Sequence, residues 1–335
     1  MILGPRRIPS IACPPPHTDK SISVLTSVGF QQLNADDYVG AIKRLRPDIA
    51  VGMADLVVAQ KPGVKRRGKM VDRTHAYTVD AIDRLYRDSA GDRSRPAYFA
   101  PVLPLDNAEQ TIYLSELEDE DTGSLVSGLA LYESASLTVI PEGLDRLVRL
   151  VFSDPATPQN ILRDVSLGAD LLTIPFLGAA SDAGMALDFT FPTSPSAQAT
   201  PTSSSSSSQP SSSSSSPRPL ALDMWAPTFT TDTAPISKNC QCYTCRHHHR
   251  AYLRHLLSAR EMLAWTLLQI HNYRIMDGFF SDIRKSISRG TFEQDVQTFE
   301  RTYRSVLPEQ TGEGPRYAHA TLIRAEVIPL ILISP

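Results

Sequence analysis

No stretch of the sequence is apolar for long enough to cross a bilayer. The longest, Val327–Ile333, has seven residues, against the about 20 that a membrane helix needs. The opening residues, MILGPRRIPSIAC, lack the apolar core of a secretory signal. Net charge is also small, with 33 Lys and Arg against 36 Asp and Glu, for −3 overall. Such a balance gives no reason to expect non-specific binding to nucleic acid. Cysteine is scarce, 4 in 335 residues. Three of the four fall within six residues, Cys240 to Cys245. In the reducing compartment that the missing signal implies, clustered thiols hold metal more often than they form disulfides.

What is present suffices for a large core: 335 residues, 41% of them hydrophobic, make one large domain or two ordinary ones. Charge is uneven. Residues 236–305 hold 11 Lys and Arg against 6 Asp and Glu, and His247, His248, His249 and His255 crowd into the same region. A local basic face and a solvated helix surface both fit that pattern.

Residues 1–20 are proline-rich without periodicity and read as an irregular lead-in. From 21 to 192 short apolar bursts alternate with helical stretches. Ile49–Met53 and Leu125–Val126 read as buried strands. Thr78–Tyr86 places Val79, Ile82, Leu85 and Tyr86 on one helical stripe, and Leu144–Phe152 does the same with Leu147, Leu150 and Val151. The alternation predicts an α/β class with parallel pairing. Residues 193–219, which include the serine tract 203–216, cannot bury enough apolar area to offset chain entropy, and they read as a disordered insertion. Residues 220–316 hold the cysteine cluster, and 317–335 form an unassigned tail.

The motif Cys240-Gln-Cys242-Tyr-Thr-Cys245 puts three thiols on one tight turn. A zinc ion takes four thiolate or imidazole ligands in a tetrahedron, so one ligand is missing. His247, His248 and His249 are the local candidates, and His255 and His271 the distant ones. Along one straight helix Cys245 and His271 would stand roughly 39 Å apart. Ser258-Ala-Arg-Glu261 matches a capping box, however, and a helix restarting there lets His271 return to the cysteines.

The segment from Cys240 to Asn272, with Arg250-Ala-Tyr252, His255-Leu256 and His271-Asn272 in register, resembles the zinc motif of the tRNA-guanine transglycosylase family. Ser127–Glu133 is similar to that family's base-binding strand end, Asn160–Asp170 to the approach to its nucleophile strand, and Gly312–Arg316 to a C-terminal segment of eukaryotic members. The resemblance implies a (β/α)8 TIM-type barrel, lacking early strands at its N-terminus, with a zinc-binding subdomain. It implies Cys240, Cys242, Cys245 and His271 as ligands of one structural Zn2+. A barrel without its first strands would expose unpaired edges.

Base exchange in this family needs two carboxylates, one attacking the ribose and one moving a proton. By the resemblance Thr173 stands at the nucleophile position and Thr26 at the second. Tyr132 replaces a glycine that leaves room for the base, and Asp170 aligns with a structural aspartate. Gly184, in Ser181–Phe189, fits the accessory members. The resemblance therefore implies no catalytic residue and a non-catalytic, cytoplasmic subunit. It would pair as a heterodimer with a catalytic homologue that exchanges guanine for queuine at the tRNA wobble position. Peripheral association with the mitochondrial outer membrane is part of the same resemblance. Arg246, Arg250 and Arg254, four residues apart, are candidates for tRNA or partner contact on one helix face. The competing readings are an active transglycosylase and a zinc-stabilised interaction protein without a tRNA role.

Overall fold

The computed structural model describes residues 1–8, 10–14, 16–58, 60–87, 95–193, 216–315 and 330–332. They group into two compact units. One holds residues 1–154 and 164–175 with the strand at 330–332, and the other holds 155–163 and 176–315. No helix among the described residues is long and apolar enough to cross a membrane.

In chain order the elements begin with β1 (Ile2–Leu3), β2 (Ser21–Thr26), β3 (Gly29–Asn34), α1 (Ala35–Leu45), β4 (Ile49–Val51) and α2 (Val64–Ile82). β5 (Ala97–Val102), α3 (Asn107–Glu118), α4 (Glu120–Gly123), β6 (Gly128–Leu131), β7 (Val148–Val151), α5 (Pro158–Ser166) and β8 (Leu171–Thr173) follow. Then come α6 (Phe176–Asp182), β9 (Met185–Leu187), β10 (Ala221–Asp223), α7 (Tyr243–His247), α8 (Arg250–Ser258), α9 (Met262–Arg289), α10 (Phe292–Thr302) and β11 (Leu330–Leu332).

The first unit is built on the sheet β1-β4-β5-β6-β7-β8-β11, in which β1 to β8 pair in parallel and β11 adds antiparallel to β8. β2 and β3 form a separate hairpin. Six of the eight parallel strands that close a (β/α)8 barrel are thus present among the described residues. The strands are apolar on both faces because both are covered. Val51, Phe99, Ala130, Leu150, Phe152 and Leu171 form one buried cluster. The helices bury Ile42, Met70, Ile82 and Leu117. The Tyr38 hydroxyl on α1 donates to the Val51 carbonyl at 2.6 Å and reaches that of Leu3 at 3.1 Å, tying β1 to β4.

Several elements depart from the sequence reading. The segment read as an irregular lead-in carries β1. Leu125–Val126 is a turn, and the strand starts at Gly128, where a Cβ would stand 2.7 Å from the Phe99 ring. The helix expected over Leu144–Phe152 is instead a short 3-10 turn, Glu142–Leu144, followed by β7. Leu147, Leu150 and Val151 do match a helical period, but so short an apolar run fits a doubly buried strand equally well. The helix over Thr78–Tyr86 exists as the end of α2 and a π-type turn, Asp83–Arg87. The serine tract and most of the tail lie outside the described residues. From the tail only β11 is described.

Asp55, just beyond β4, is fully buried. Its carboxylate takes hydrogen bonds from Arg66, at 2.8 Å to one oxygen, and from Arg73 at 3.1 Å. Burial pushes its pKa up, but the Arg66 hydrogen bonds, the charge of His17 and Arg73 outweigh it and hold the carboxyl below its ordinary value.

The second unit packs α8 and α9 over the β9–β10 ribbon around Met224, Ile236, Leu253, Leu257, Trp265 and Leu268. A second cluster sets Phe189 edge-on to Phe279 and Phe299, with centroids 5.4 and 5.9 Å apart. α9 runs 28 residues and stops at Gly290, whose φ of 68° is the left-handed cap that glycine adopts freely. Gly184 also has positive φ, 78°, and a Cβ there would stand 2.4 Å from the Trp225 indole nitrogen. That nitrogen donates to the Ala183 carbonyl at 3.2 Å.

Gly184→Ala should therefore destabilise the chain by about 2–3 kcal/mol, combining the left-handed conformation with a lost indole hydrogen bond. Denaturant unfolding checks this. Asp55→Ala, which strips Arg66 and Arg73 of their partner, should cost about 2–3 kcal/mol at neutral pH. The Asp55 contribution is complete above the ordinary carboxylate range and lost as pH falls through the depressed native value. Stability measured against pH should be correspondingly less acid-sensitive in Asp55→Asn.

Candidate metal centre

The cysteine turn is built from local rules. Cys242 caps the N-terminus of α7, its sulfur accepting the Cys245 backbone N–H at 3.4 Å. Three residues on, Cys245 lies on the same face as Cys242. His248 is extended and ends α7. His249 then caps α8, its Nδ1 accepting from the Tyr252 N–H at 3.1 Å. α8 ends at Ser258, and Arg260, at φ 56°, turns the chain into α9.

The reversal that the sequence suggests at Ser258 is present, but the capping box is not. The Ser258 hydroxyl donates to the Arg254 carbonyl at 2.9 Å, and Glu261 occupies the cap position of α9 without a side-chain cap. The turn made by Arg260 does what the box was expected to do.

α9 carries His271 back to the three thiols. The ligand atoms of Cys240, Cys242, Cys245 and His271 lie within 4.8 Å of one another. His271 Nδ1 stands 3.7, 3.6 and 3.3 Å from the three sulfurs in that order. A tetrahedral ion with metal–sulfur bonds of about 2.3 Å and metal–nitrogen bonds of about 2.0–2.1 Å would separate S from N by about 3.6 Å. The four groups therefore fit a single tetrahedral cation in both chemistry and spacing. His271 and Cys242 are buried, and Cys240 and Cys245 are half-buried.

His271 is oriented from behind. Its Nε2 bonds the Leu187 carbonyl on β9 at 2.8 Å. With the proton held there, the Nδ1 lone pair faces the sulfurs, the arrangement that metal-binding imidazoles favour. The sulfurs share protons among themselves. The hydrogen bond with Cys245 draws the Cys240 thiol down and pushes Cys245 up. Burial lowers His271, but its bonds to Cys240 and Cys242 outweigh this and raise it to about 9. A bound cation would displace those shared protons.

Asn272 completes the support, and its role was visible in the sequence only as the His-Asn pair. It is fully buried. Its Oδ1 accepts from the Leu187 N–H at 2.8 Å, and its Nδ2 donates to Ser181 Oγ and the Met185 carbonyl, both at 2.9 Å. The Thr244 hydroxyl donates to the Leu267 carbonyl at 2.7 Å and fastens α7 to α9.

The remaining candidates do not join this centre. His247 and His248 lie against the rings of Tyr243 and Tyr252, and His255 is exposed. Arg246, Arg250 and Arg254 do not share one helix face, because the break at His248 leaves Arg246 on α7 and the other two on α8. Arg250 is engaged internally, with Asp232 at 3.0 Å, the Ile236 carbonyl at 2.7 Å and the Phe229 ring at 5.5 Å. Arg254 bonds Ser258 along its own helix.

At the carboxyl ends of the parallel strands, Thr173 closes β8, buried, with its hydroxyl 3.4 Å from the Ser153 carbonyl. Thr26 donates to the Gly29 carbonyl at 2.8 Å within the β2–β3 turn. Tyr132, directly after β6, stacks obliquely on Phe152 at 5.6 Å, and burial pushes its hydroxyl up to about 12. Its ring lines a 460 Å³ cavity with Leu56, Val57, Pro104, Phe152 and Asp154. Asp170 accepts the Arg149 backbone N–H at 2.8 Å, a structural bond between neighbouring strands.

Comparison with known proteins agrees with this geometry. The family described as queuine tRNA-ribosyltransferase matches residues 2–305. A Schizosaccharomyces pombe protein named queuine tRNA-ribosyltransferase accessory subunit 2 is 34% identical over 318 residues, covering 94% of this chain and 67% of that one. Proteins of the same name from Homo sapiens and Culex quinquefasciatus are each 26% identical. They match over 88% and 91% of this chain and 76% and 70% of their own lengths. The six-stranded parallel sheet, the Cys3His cluster and these matches agree, and the chain belongs to the queuine tRNA-ribosyltransferase family.

Proposed function

We propose that the chain is a non-catalytic accessory subunit that pairs with a catalytic homologue and supports exchange of guanine for queuine at the tRNA wobble position. One observation carries the reading. At the position the family resemblance gives to the nucleophile stands Thr173, a buried neutral hydroxyl. An unactivated hydroxyl lacks the negative charge with which a carboxylate attacks ribose. The relatives named as accessory subunits support the same reading, as does the ring of Tyr132 after β6, two strands away in the sheet. The cytoplasmic placement rests on the same resemblance.

We further assign Cys240, Cys242, Cys245 and His271 to one structural Zn2+. Four protein ligands leave no open position, so the ion would serve as a cross-link and not as a Lewis acid. The residues do the positioning: the cysteines hold the α7 turn, His271 holds α9, and Leu187 and Asn272 bind both to β9.

Metal analysis of the purified chain should give one zinc per chain. Cys242→Ala and His271→Ala should each lose it and unfold at lower temperature, whereas Asn272→Ala should keep the metal while losing stability. In a base-exchange assay with labelled guanine and tRNA, the chain alone should incorporate no label. Added to its catalytic homologue it should co-purify as a heterodimer and support exchange. Label incorporation by the chain alone, abolished by Thr173→Val, would establish the active-enzyme reading instead.

A further inference from the structure

The densest run of positive charge in the sequence lies far from the cysteine motif. Residues 61–73, KPGVKRRGKMVDR, hold six Lys and Arg against one Asp, in a chain whose net charge is −3. The structure divides the six into two groups. Arg66, Arg67 and Arg73 turn inward to Asp55, Glu109 and Asp19. Lys61, Lys65 and Lys69 are exposed and make no hydrogen bond or ion pair among the described residues.

Their placement opposes local stability. α2 has no acidic residue in its first turn, where the helix dipole favours one and disfavours cations. Lys65 and Lys69 are like charges one turn apart, which repel. They share a helix face about 6 Å apart along the axis. Lys61 precedes the cap residue, Gly63. It also lines the 460 Å³ cavity with Tyr132, Glu133 and Asp154, and a second one of 380 Å³ with Asp106, Glu109 and Glu133. Ligands of parallel α/β sheets are held at the carboxyl ends of the strands. A row of exposed point charges at the start of α2, carried against the helix's own preference, fits a polyanion. Val64 is the one large apolar side chain exposed among residues 61–73. That leaves no apolar face of the kind that inserts into a membrane surface.

We propose that Lys61, Lys65 and Lys69 form a contact face for an RNA phosphate backbone, on the barrel unit and separate from the cysteine centre. The inference rests on the reading of the chain as a subunit that handles tRNA. It moves the RNA contact from the arginines after the cysteine turn to the start of α2. Phosphate contacts of this kind position the nucleic acid without reading its sequence.

The test is binding of a tRNA transcript to the full chain, alone and with its catalytic homologue, over a range of salt. The variants are K61Q/K65Q/K69Q, the charge-keeping K61R/K65R/K69R, and a control with K20Q/K43Q/R44Q on exposed positions elsewhere. The glutamine triple should lose affinity on the order of tenfold at low salt, and its log K against log[salt] should be shallower by about 2–3. The arginine triple and the control should bind like the unaltered chain, and co-purification with the homologue should be unchanged in all three. If the unaltered chain binds tRNA and the glutamine triple binds it equally well with the same salt slope, the lysine face is overturned while the subunit reading stands. If the unaltered chain binds no tRNA in either state, both fall. Loss of co-purification with intact tRNA binding would make the face a protein contact. Charge-dependent binding to phosphatidylserine vesicles with tRNA binding unchanged would make it a membrane contact. Either result also overturns the proposal.

Discussion

Both ring nitrogens of His271 are committed, and the second unit is organised around that fact. Nε2 is fixed to the Leu187 carbonyl on β9, which leaves Nδ1 facing three sulfurs at 3.3–3.7 Å. A buried imidazole with one face on a strand and the other on a thiol cluster joins three separate pieces of chain: α9, the β9–β10 ribbon and the α7 turn. Asn272 repeats the link one residue later through the Leu187 N–H and the Met185 carbonyl. A cation at the centre would turn these contacts into a covalent-strength cross-link, in a chain that the structure gives no disulfide among the described cysteines.

The barrel unit keeps six parallel strands of a (β/α)8 scaffold, and two of its strand ends carry a hydroxyl and a ring. β8 ends on the Thr173 hydroxyl, and β6 is followed by the Tyr132 ring against Phe152. Two carboxylates near the sheet have structural partners: Asp170, just before β8, holds the Arg149 N–H, and Asp55, beyond β4, is enclosed by Arg66 and Arg73. Burying Asp55 is tolerable only because two guanidiniums neutralise it.

Much of this was legible in the sequence where spacing alone constrains geometry. Cys-x-Cys-x2-Cys announces a ligand turn, and β4 and the end of α2 follow from an apolar run and a stripe. His271 could not be chosen over the local histidines by spacing, because the choice depended on a chain reversal. The reversal is made by Arg260 in a left-handed conformation, for which the sequence has no glycine to advertise it. The Ser258–Glu261 box pointed to the right place for the wrong reason. β7 was misread because its apolar residues satisfy two periods at once. Arg246, Arg250 and Arg254 do not fall on one helix face because one extended residue, His248, resets the helix phase. The roles of Asn272 and of the Leu187 carbonyl depend on contacts more than 80 residues apart in the chain, which no local pattern encodes.

Three thiolates and one imidazole converging on a single ion would hold the second unit together. X-ray absorption at the zinc edge of the metal-loaded chain reads that coordination directly. The predicted spectrum has three sulfur neighbours at about 2.3 Å and one nitrogen neighbour at about 2.0–2.1 Å. A first shell of oxygen and nitrogen alone, or one unchanged by His271→Ala, would contradict it.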